Sequence, residues 1–203
     1  MKSLPNIQTI GRLVLTLVVL VGLSVQRPDW LRSELQAWSF LAFVVAAITD
    51  FFDGWLARRL KAESLLGAIL DPIADKALVA AAIVGLLASG FSGIALPAGL
   101  ILFREFAVSA LRESLAPRGL RLPVTFLAKW KTTLQLVALG LLLFLQSGPG
   151  LALIFPAAAA WGLPCYIRPP AWSLALLWLA ALVTVWTGIE YALSARRALR
   201  QPS

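Results

Sequence analysis

Six mainly apolar stretches, roughly 8–26, 36–57, 71–89, 93–113, 126–147 and 172–194, recur along this chain. Each approaches the 20 or so residues that a helix needs to cross the hydrocarbon core of a bilayer. In hydrocarbon, every backbone N–H and C=O must be satisfied within the protein, so repeated apolar runs of this length admit helices and little else. The chain's 203 residues are 60% hydrophobic, with a mean hydropathy of +0.84. A soluble domain is nearer about 45–50% apolar. The expectation is an all-α integral membrane protein, a single domain over residues 1–203, with six transmembrane helices and a polar, interfacial start to the first. Lys2 and Arg12 flank the first apolar run, and Gln26-Arg27-Pro28-Asp29 after it has no small-x-small cleavage pattern, so an uncleaved first helix is expected.

The basic residues give the orientation. Under six spans, fifteen of the eighteen Lys and Arg residues fall on one side and only Arg27, Arg32 and Arg168 on the other. The positive-inside rule then puts both termini on the cytoplasmic side, together with the hairpin between spans two and three. The net charge of +8 fits this asymmetry and an anionic lipid surface, so membrane lipids rather than nucleic acid are the expected partners. Trp30, Trp38, Trp55, Trp130, Trp161 and Trp172 fall near span ends, as an aromatic belt would. Gly90-Phe91-Ser92-Gly93 predicts a tight turn on the far face. The 148–171 stretch, broken by Pro149, Pro164, Pro169 and Pro170, predicts a loop with a re-entrant or interfacial piece.

Composition also narrows the chemistry. There is no histidine, which excludes His bases, His metal ligands and Ser-His triads, and the single Cys165 excludes an internal disulfide or a Cys-cluster metal site. Carboxylates and cations are left. Four aspartates stand in one cytoplasmic hairpin: Asp50 and Asp53 are i, i+3, and Asp71 and Asp75 are i, i+4, so each pair shares a helix face. Four hard oxygen donors on two helices suit Mg²⁺ or Mn²⁺, and their formal charge matches two divalent ions of the kind that clamp phosphoryl oxygens. Gly54, Ala57 and Gly67 allow close approach of a ligand or a neighbouring backbone, and Arg58, one turn beyond Asp53, is suited to grip a phosphate. Pro72 reads as a helix start. The plainer account, surface ion pairs with Arg58, Arg59, Lys61 and Lys76, explains isolated charges but not this spacing.

That spacing, Asp-x2-Asp-Gly-x2-Ala-Arg-x8-Gly-x3-Asp-x3-Asp, resembles at every fixed position the signature of the CDP-alcohol phosphotransferase family. The resemblance implies a six-helix membrane enzyme, often a homodimer, that moves a phosphatidyl or related group from a CDP-linked donor to an alcohol and releases CMP. It implies that Asp50, Asp53, Asp71 and Asp75 are the ligands of two divalent ions, Mg²⁺ or Mn²⁺, and that Asp75 is the catalytic base for the acceptor hydroxyl. It further implies that Gly54, Ala57, Arg58 and Gly67 belong to the CDP-binding part, with Ser64 as a further nucleotide contact. The N-terminal Pro5-Asn6-Ile7-Gln8-Thr9-Ile10-Gly11-Arg12 is similar to a second, shorter family pattern, Pro-Asn-x-x-Thr-x-x-Arg, which would place Asn6 and Thr9 near the cytidine or its pyrophosphate.

A second basic cluster bears on the acceptor. Arg104 and Arg112 are eight apart on one helix face, and Lys129 and Lys131 open the next helix, whose N-terminal dipole also attracts anions. Cations gathered in this way suit an acceptor that carries its own phosphate. Arg104-Glu105 with Ala110-Leu111-Arg112-Glu113, and Lys129-Trp130-Lys131-Thr132-Thr133-Leu134-Gln135, resemble the branch of the family whose donor is CDP-diacylglycerol and whose acceptor is sn-glycerol 3-phosphate. This resemblance runs from about residue 4 to about residue 147. The 148–171 stretch is longer and richer in proline than that branch suggests. The expected setting is the inner membrane, multi-pass, with the active site facing the cytoplasm. Other acceptors stay open: inositol phosphate, serine or phosphatidylglycerol. So does a cation transporter, although transporters usually carry such charges near the midplane within inverted repeats, and neither feature is evident.

Overall fold

A computed structural model describes residues 4–25, 29–60, 65–91, 93–118, 126–147 and 170–200. Within these, side chains are not described at 4–8, 29–30, 33, 51–60, 65–69, 71–72, 118 and 126–129. Of the expected loop at 148–171, residues 148–169, with Trp161 and Cys165, lie outside the described residues, and Ala171 already opens a helix. Among the described residues, six α-helices follow one another: α1 (Leu4–Ser24), α2 (Asp29–Leu60), α3 (Leu65–Ala88), α4 (Ala95–Leu115), α5 (Phe126–Gln146) and α6 (Ala171–Arg200). A single 3-10 turn, Ala116–Arg118, extends α4, and no strand occurs among the described residues. The all-helical expectation holds. Among the described residues, Ala171–Arg200 is the one helix both long and apolar enough to cross a membrane, while Thr9–Ser24 and Trp130–Gln146 are shorter apolar stretches.

The chain divides into two compact units. The first holds α1, α2, α3 and the later part of α5. Its seam is a set of helical stripes: Thr9, Arg12, Thr16, Val19 and Leu23 on α1; Gln36, Ser39, Phe43 and Ala46 on α2; Leu78, Ala82 and Leu86 on α3 are all buried. Small and hydroxyl residues at these positions let helix backbones approach, as in membrane bundles. At Gly85 a Cβ would lie 2.6 Å from the Cβ of Leu23, so α1 and α3 touch here because there is no side chain between them. The outward faces are apolar instead: Ile10, Val14, Leu17, Val21, Leu41, Val45 and Val84 are exposed. Polar inside and apolar outside is the inverse of a water-soluble bundle, and such broad apolar surface marks contact with lipid or protein.

The contacts fix direction. Arg12 meets Asp75 near one end, and at the other end the Ser89 hydroxyl donates to the Leu23 carbonyl (3.0 Å), so α1 and α3 run parallel. Asp50 meets Arg12, and Arg32 donates to the Ser89 carbonyl (2.9 Å), so α2 runs antiparallel to both. At 1.5 Å per residue, Arg32 and Asp50 are about 27 Å apart along α2, close to the thickness of a bilayer core. Gly90 and Gly93, with φ of 87° and 89°, form the expected turn after α3, because that backbone region strongly favours glycine. Phe144 of α5 packs its ring on Phe40, with centroids 5.3 Å apart.

The second unit holds α4, the start of α5 and α6. Gly93 lies against Leu174, Arg104 reaches Thr187, and Arg112 reaches Tyr191, so α4 and α6 are parallel. The buried stripe of α4 is Ile94, Ala98, Ile101, Arg104 and Val108; that of α6 is Leu177, Ala180, Thr184, Thr187 and Tyr191. Leu96, Phe103, Phe106, Trp186 and Ile189 point outward. Trp38, Trp130 and Trp172 are exposed, as belt residues should be.

Two local expectations change. α2 continues to Leu60 and α3 begins at Leu65, past the expected bounds of 57 and 71, while the four aspartates lie on two helices as expected. Pro72 therefore stands within α3 and not at its start. It removes one N–H from the helical ladder, a loss that membrane helices tolerate where neighbouring groups or local adjustment satisfy the freed carbonyl. Replacing Gly85 with Leu should force α1 from α3 and cost about 1–3 kcal/mol by overpacking. The expected result is a melting temperature in detergent lowered by several degrees, read by thermal size-exclusion chromatography; an unchanged value would contradict the close contact at Leu23.

Candidate active site

The first unit's seam carries charge. Arg12 continues the buried stripe of α1, Asp50 that of α2, and Asp75 lies one turn before buried Val79 on α3. The Arg12 guanidinium is 4% exposed. One of its terminal amino groups lies 2.8 Å from Asp50 Oδ1, and the other donates to Asp75 Oδ1. Its Nε is buried and has no hydrogen-bond partner. The Thr16 hydroxyl donates to the Arg12 carbonyl (2.8 Å), and Thr9, one turn earlier, is buried. The carboxylates open outward: the Asp50 side chain is 35% exposed and that of Asp75 51%. The cation thus lies beneath, and oxygens from two helices converge above it.

Asp53 follows Asp50 by one turn of α2, and Asp71 precedes Asp75 by one turn of α3. Gly54, Ala57 and Arg58 continue α2, Gly67 lies in the first turn of α3, and Asn6 lies in the first turn of α1. The side chains of Asn6, Asp53, Arg58 and Asp71 lie outside the described set, as does Ser64 entirely. Among the described residues no group of three or more acidic or sulfur ligands forms a metal site. The donor chemistry nevertheless fits a hard divalent cation: two aspartate oxygens from different helices already converge on one positive group, and both carboxylates remain accessible.

The second unit carries a polar cluster of its own. The side chain of Lys131, on α5, is 5% exposed and donates to Glu105 Oε1. Arg104 lies 3.7 Å from the same oxygen and donates to the Thr187 hydroxyl (3.0 Å). Arg104 also crosses α6 at Gly188, where a Cβ would stand 2.8 Å from its Cγ. Arg112 donates to the Tyr191 hydroxyl (2.7 Å), and both guanidiniums lie over the Tyr191 ring, at 4.9 Å for Arg112 and 5.5 Å for Arg104. Three of the four cations expected for an acceptor phosphate, Arg104, Arg112 and Lys131, therefore meet around one glutamate and one tyrosine; Lys129 lies on α5, its side chain outside the described set. Among these four charged side chains, three positive against one negative, two positive charges are left uncompensated.

The sequence profile of the CDP-alcohol phosphatidyltransferase family matches residues 2–186. The chain belongs to this family. Among its relatives, a protein of Cereibacter sphaeroides is 43% identical over 216 residues, covering 93% of each chain. One of Rickettsia felis is 37% identical, covering 94% of this chain and 93% of its own. One of Salmonella typhimurium is 39% identical over 78% of each. All three are named CDP-diacylglycerol–glycerol-3-phosphate 3-phosphatidyltransferase. The CDP-alcohol phosphatidyltransferases are membrane transferases and in general depend on a divalent metal.

Within this family setting, sequence reasoning named Glu105 only as part of a pattern and overlooked three residues. Thr187, Gly188 and Tyr191 organise the second cluster together with Glu105, and the signal available was the polar stripe Thr184, Thr187, Tyr191 at helical spacing in an otherwise apolar helix. Removing one partner of a buried ion pair leaves the other uncompensated. Glu105→Gln should therefore lower the melting temperature in detergent by at least about 5 °C, as expected for a loss of a few kcal/mol. Adding Lys131→Met should recover part of that loss, since the stranded ammonium goes with it; a strictly additive double variant would refute the coupling.

Proposed function

We propose that this chain transfers the phosphatidyl group of CDP-diacylglycerol to sn-glycerol 3-phosphate, giving phosphatidylglycerophosphate and CMP. The observation that carries the reading is the meeting of Asp50 and Asp75, the first and last carboxylates of the family pattern, at one guanidinium. The names of relatives aligned over most of the chain support the same donor and acceptor. The enzyme sits in the inner membrane as six transmembrane helices with both termini and the aspartates cytoplasmic. The fifteen-to-three distribution of basic residues and the outward apolar faces support this topology. It acts as a homodimer among membrane lipids.

Asp50, Asp53, Asp71 and Asp75 hold two Mg²⁺ (or Mn²⁺) ions. Ions held there would supply positive charge to offset that of the donor's phosphates. Asn6, Thr9, Gly54, Ala57, Arg58, Ser64 and Gly67 hold the CDP part of the donor. The primary hydroxyl of the acceptor attacks the phosphorus that bears the diacylglycerol; the new P–O bond forms as the bond to CMP breaks, and Asp75 takes the hydroxyl proton. An aspartate is a weak base, so Asp75 works by position, and its bond to Arg12 fixes that position.

Arg104, Arg112, Lys129 and Lys131 receive the acceptor's own phosphate. The excess of two positive charges among Arg104, Glu105, Arg112 and Lys131 complements a phosphate monoester, which carries about −1.5 to −2 near pH 7. This charge balance favours glycerol 3-phosphate over serine. Arg112, exposed and bound to Tyr191, is the most accessible of the three described cations.

Purified protein in mixed micelles should release CMP from CDP-diacylglycerol with glycerol 3-phosphate and Mg²⁺, and not with EDTA. CMP release with serine, inositol phosphate or phosphatidylglycerol but not glycerol 3-phosphate would reject the acceptor. Asp75→Asn should reduce turnover by about a hundredfold or more while CDP-lipid binding survives in part, as measured by CMP release and equilibrium binding. Arg112→Ala should raise the KM for glycerol 3-phosphate about tenfold or more, with a much smaller change for the CDP-lipid, in line with a lost charge-assisted hydrogen bond. Equal changes for both substrates would remove Arg112 from the acceptor site.

A further inference from the structure

We propose that Arg12 is a built-in counter-cation of the aspartate site: it holds Asp50 and Asp75 together when no divalent ion is bound and holds down the affinity for the ions that replace that compensation. The inference rests on the reading that the aspartates bind divalent cations, and assigns to Arg12 a positioning role toward them.

Four observations carry it. Arg12 is buried to 4% exposure, so its charge was not placed there for solvent contact. Its two terminal amino groups are divided between carboxylates of different helices, while its Nε is left buried and without a partner. A guanidinium serving only to pack α1 would be expected to satisfy all its donors, since each unpaired buried N–H is costly. Its aim is instead set by the carboxylates. It contacts Oδ1 of each, and the Asp50 and Asp75 side chains, 35% and 51% exposed, stay open to an incoming cation. A cation arriving from that side meets carboxylates that are already oriented.

The electrostatics decide the sign. Asp50, Asp53, Asp71 and Asp75 stand within one turn of each other in pairs on α2 and α3, and like charges so placed repel. The Arg12 charge offsets one of them and lets α1, α2 and α3 stay packed without metal. A divalent ion then enters against a fixed positive charge a few ångströms away. Charge repulsion at that distance is stronger than the gain from orienting two ligands, so loss of Arg12 should tighten ion binding while weakening the metal-free protein.

The test is thermal unfolding of the full chain in detergent, in EDTA and across a Mg²⁺ titration, without substrate. Arg12→Gln should melt lower than wild type in EDTA. Its Mg²⁺-induced rise should exceed the wild-type rise by at least about 4 °C, and its half-maximal Mg²⁺ concentration should fall about tenfold or more. A drop of equal size in EDTA and in saturating Mg²⁺, with an unchanged midpoint, would mean that Arg12 only packs helices, and would overturn the proposal. If wild type itself gains nothing from Mg²⁺, the metal reading of the aspartates fails first, and this inference with it. Should Arg12→Gln not accumulate, Arg12→Met serves, because it removes the charge while keeping an apolar stem in the buried seam. Its Mg²⁺-induced rise should still exceed that of wild type, and a rise equal to wild type would overturn the proposal.

Discussion

The buried guanidinium of Arg12, shared between Asp50 and Asp75, is the interaction on which the first helical unit depends. Three helices meet at this point, and the Arg12 charge, 4% exposed, is not tolerable there alone. A lone carboxylate or guanidinium taken out of water loses more hydration than packing returns, whereas a well-oriented pair recovers much of it. The bridge therefore fixes more than a contact. It sets the rotation of α1, since Arg12 must face inward, and it sets the register of α2 and α3, since their aspartates must reach the same group. The Ser89 hydroxyl and the Arg32 guanidinium tie the opposite end, so the bundle is pinned at both ends of a span comparable to a bilayer core.

The second unit meets the same difficulty with a different arrangement. Arg104 and Lys131 are buried in a seam otherwise made of Ile, Ala, Val, Leu and Thr, and Glu105 stands between them as a shared counter-ion. Tyr191 supplies both a hydroxyl and a ring face to the two arginines. Such networks are retained in apolar surroundings where they serve binding or catalysis. In the proposed function, the excess of positive charge is the property by which this network would receive a phosphorylated acceptor. The first unit joins three charges of which two are negative, the second joins four of which three are positive, and these complementary balances match the ions and the phosphate that the proposed reaction handles.

Much of this was legible from local spacing. The apolar runs foretold helices, and the glycine pair at 90 and 93 foretold the turn. The i, i+3 and i, i+4 aspartates foretold shared faces on two helices, because helical periodicity needs only the chain's own sequence. Arg104 stood out because a charge within an apolar run has no bland explanation. The boundaries were less legible: α2 and α3 extend further into the aspartate hairpin than hydropathy indicated, and Pro72 falls inside α3, since helix length is set by packing and hydrogen bonding as well as by apolar content.

The sequence by itself determined the class of structure, the carboxylate pattern and the family to which they belong. Each is a property of composition or of residues close along the chain. Only the tertiary structure decided that Arg12 would be the cation beneath Asp50 and Asp75, that Glu105 would divide its charge between Arg104 and Lys131, and that Tyr191 would hold Arg112. Apart from that of the neighbours Arg104 and Glu105, these pairings join residues far apart in sequence. They follow from how each helix is rotated and shifted against its neighbours, and that is chosen by the packing of whole faces and the need to leave no charge buried alone.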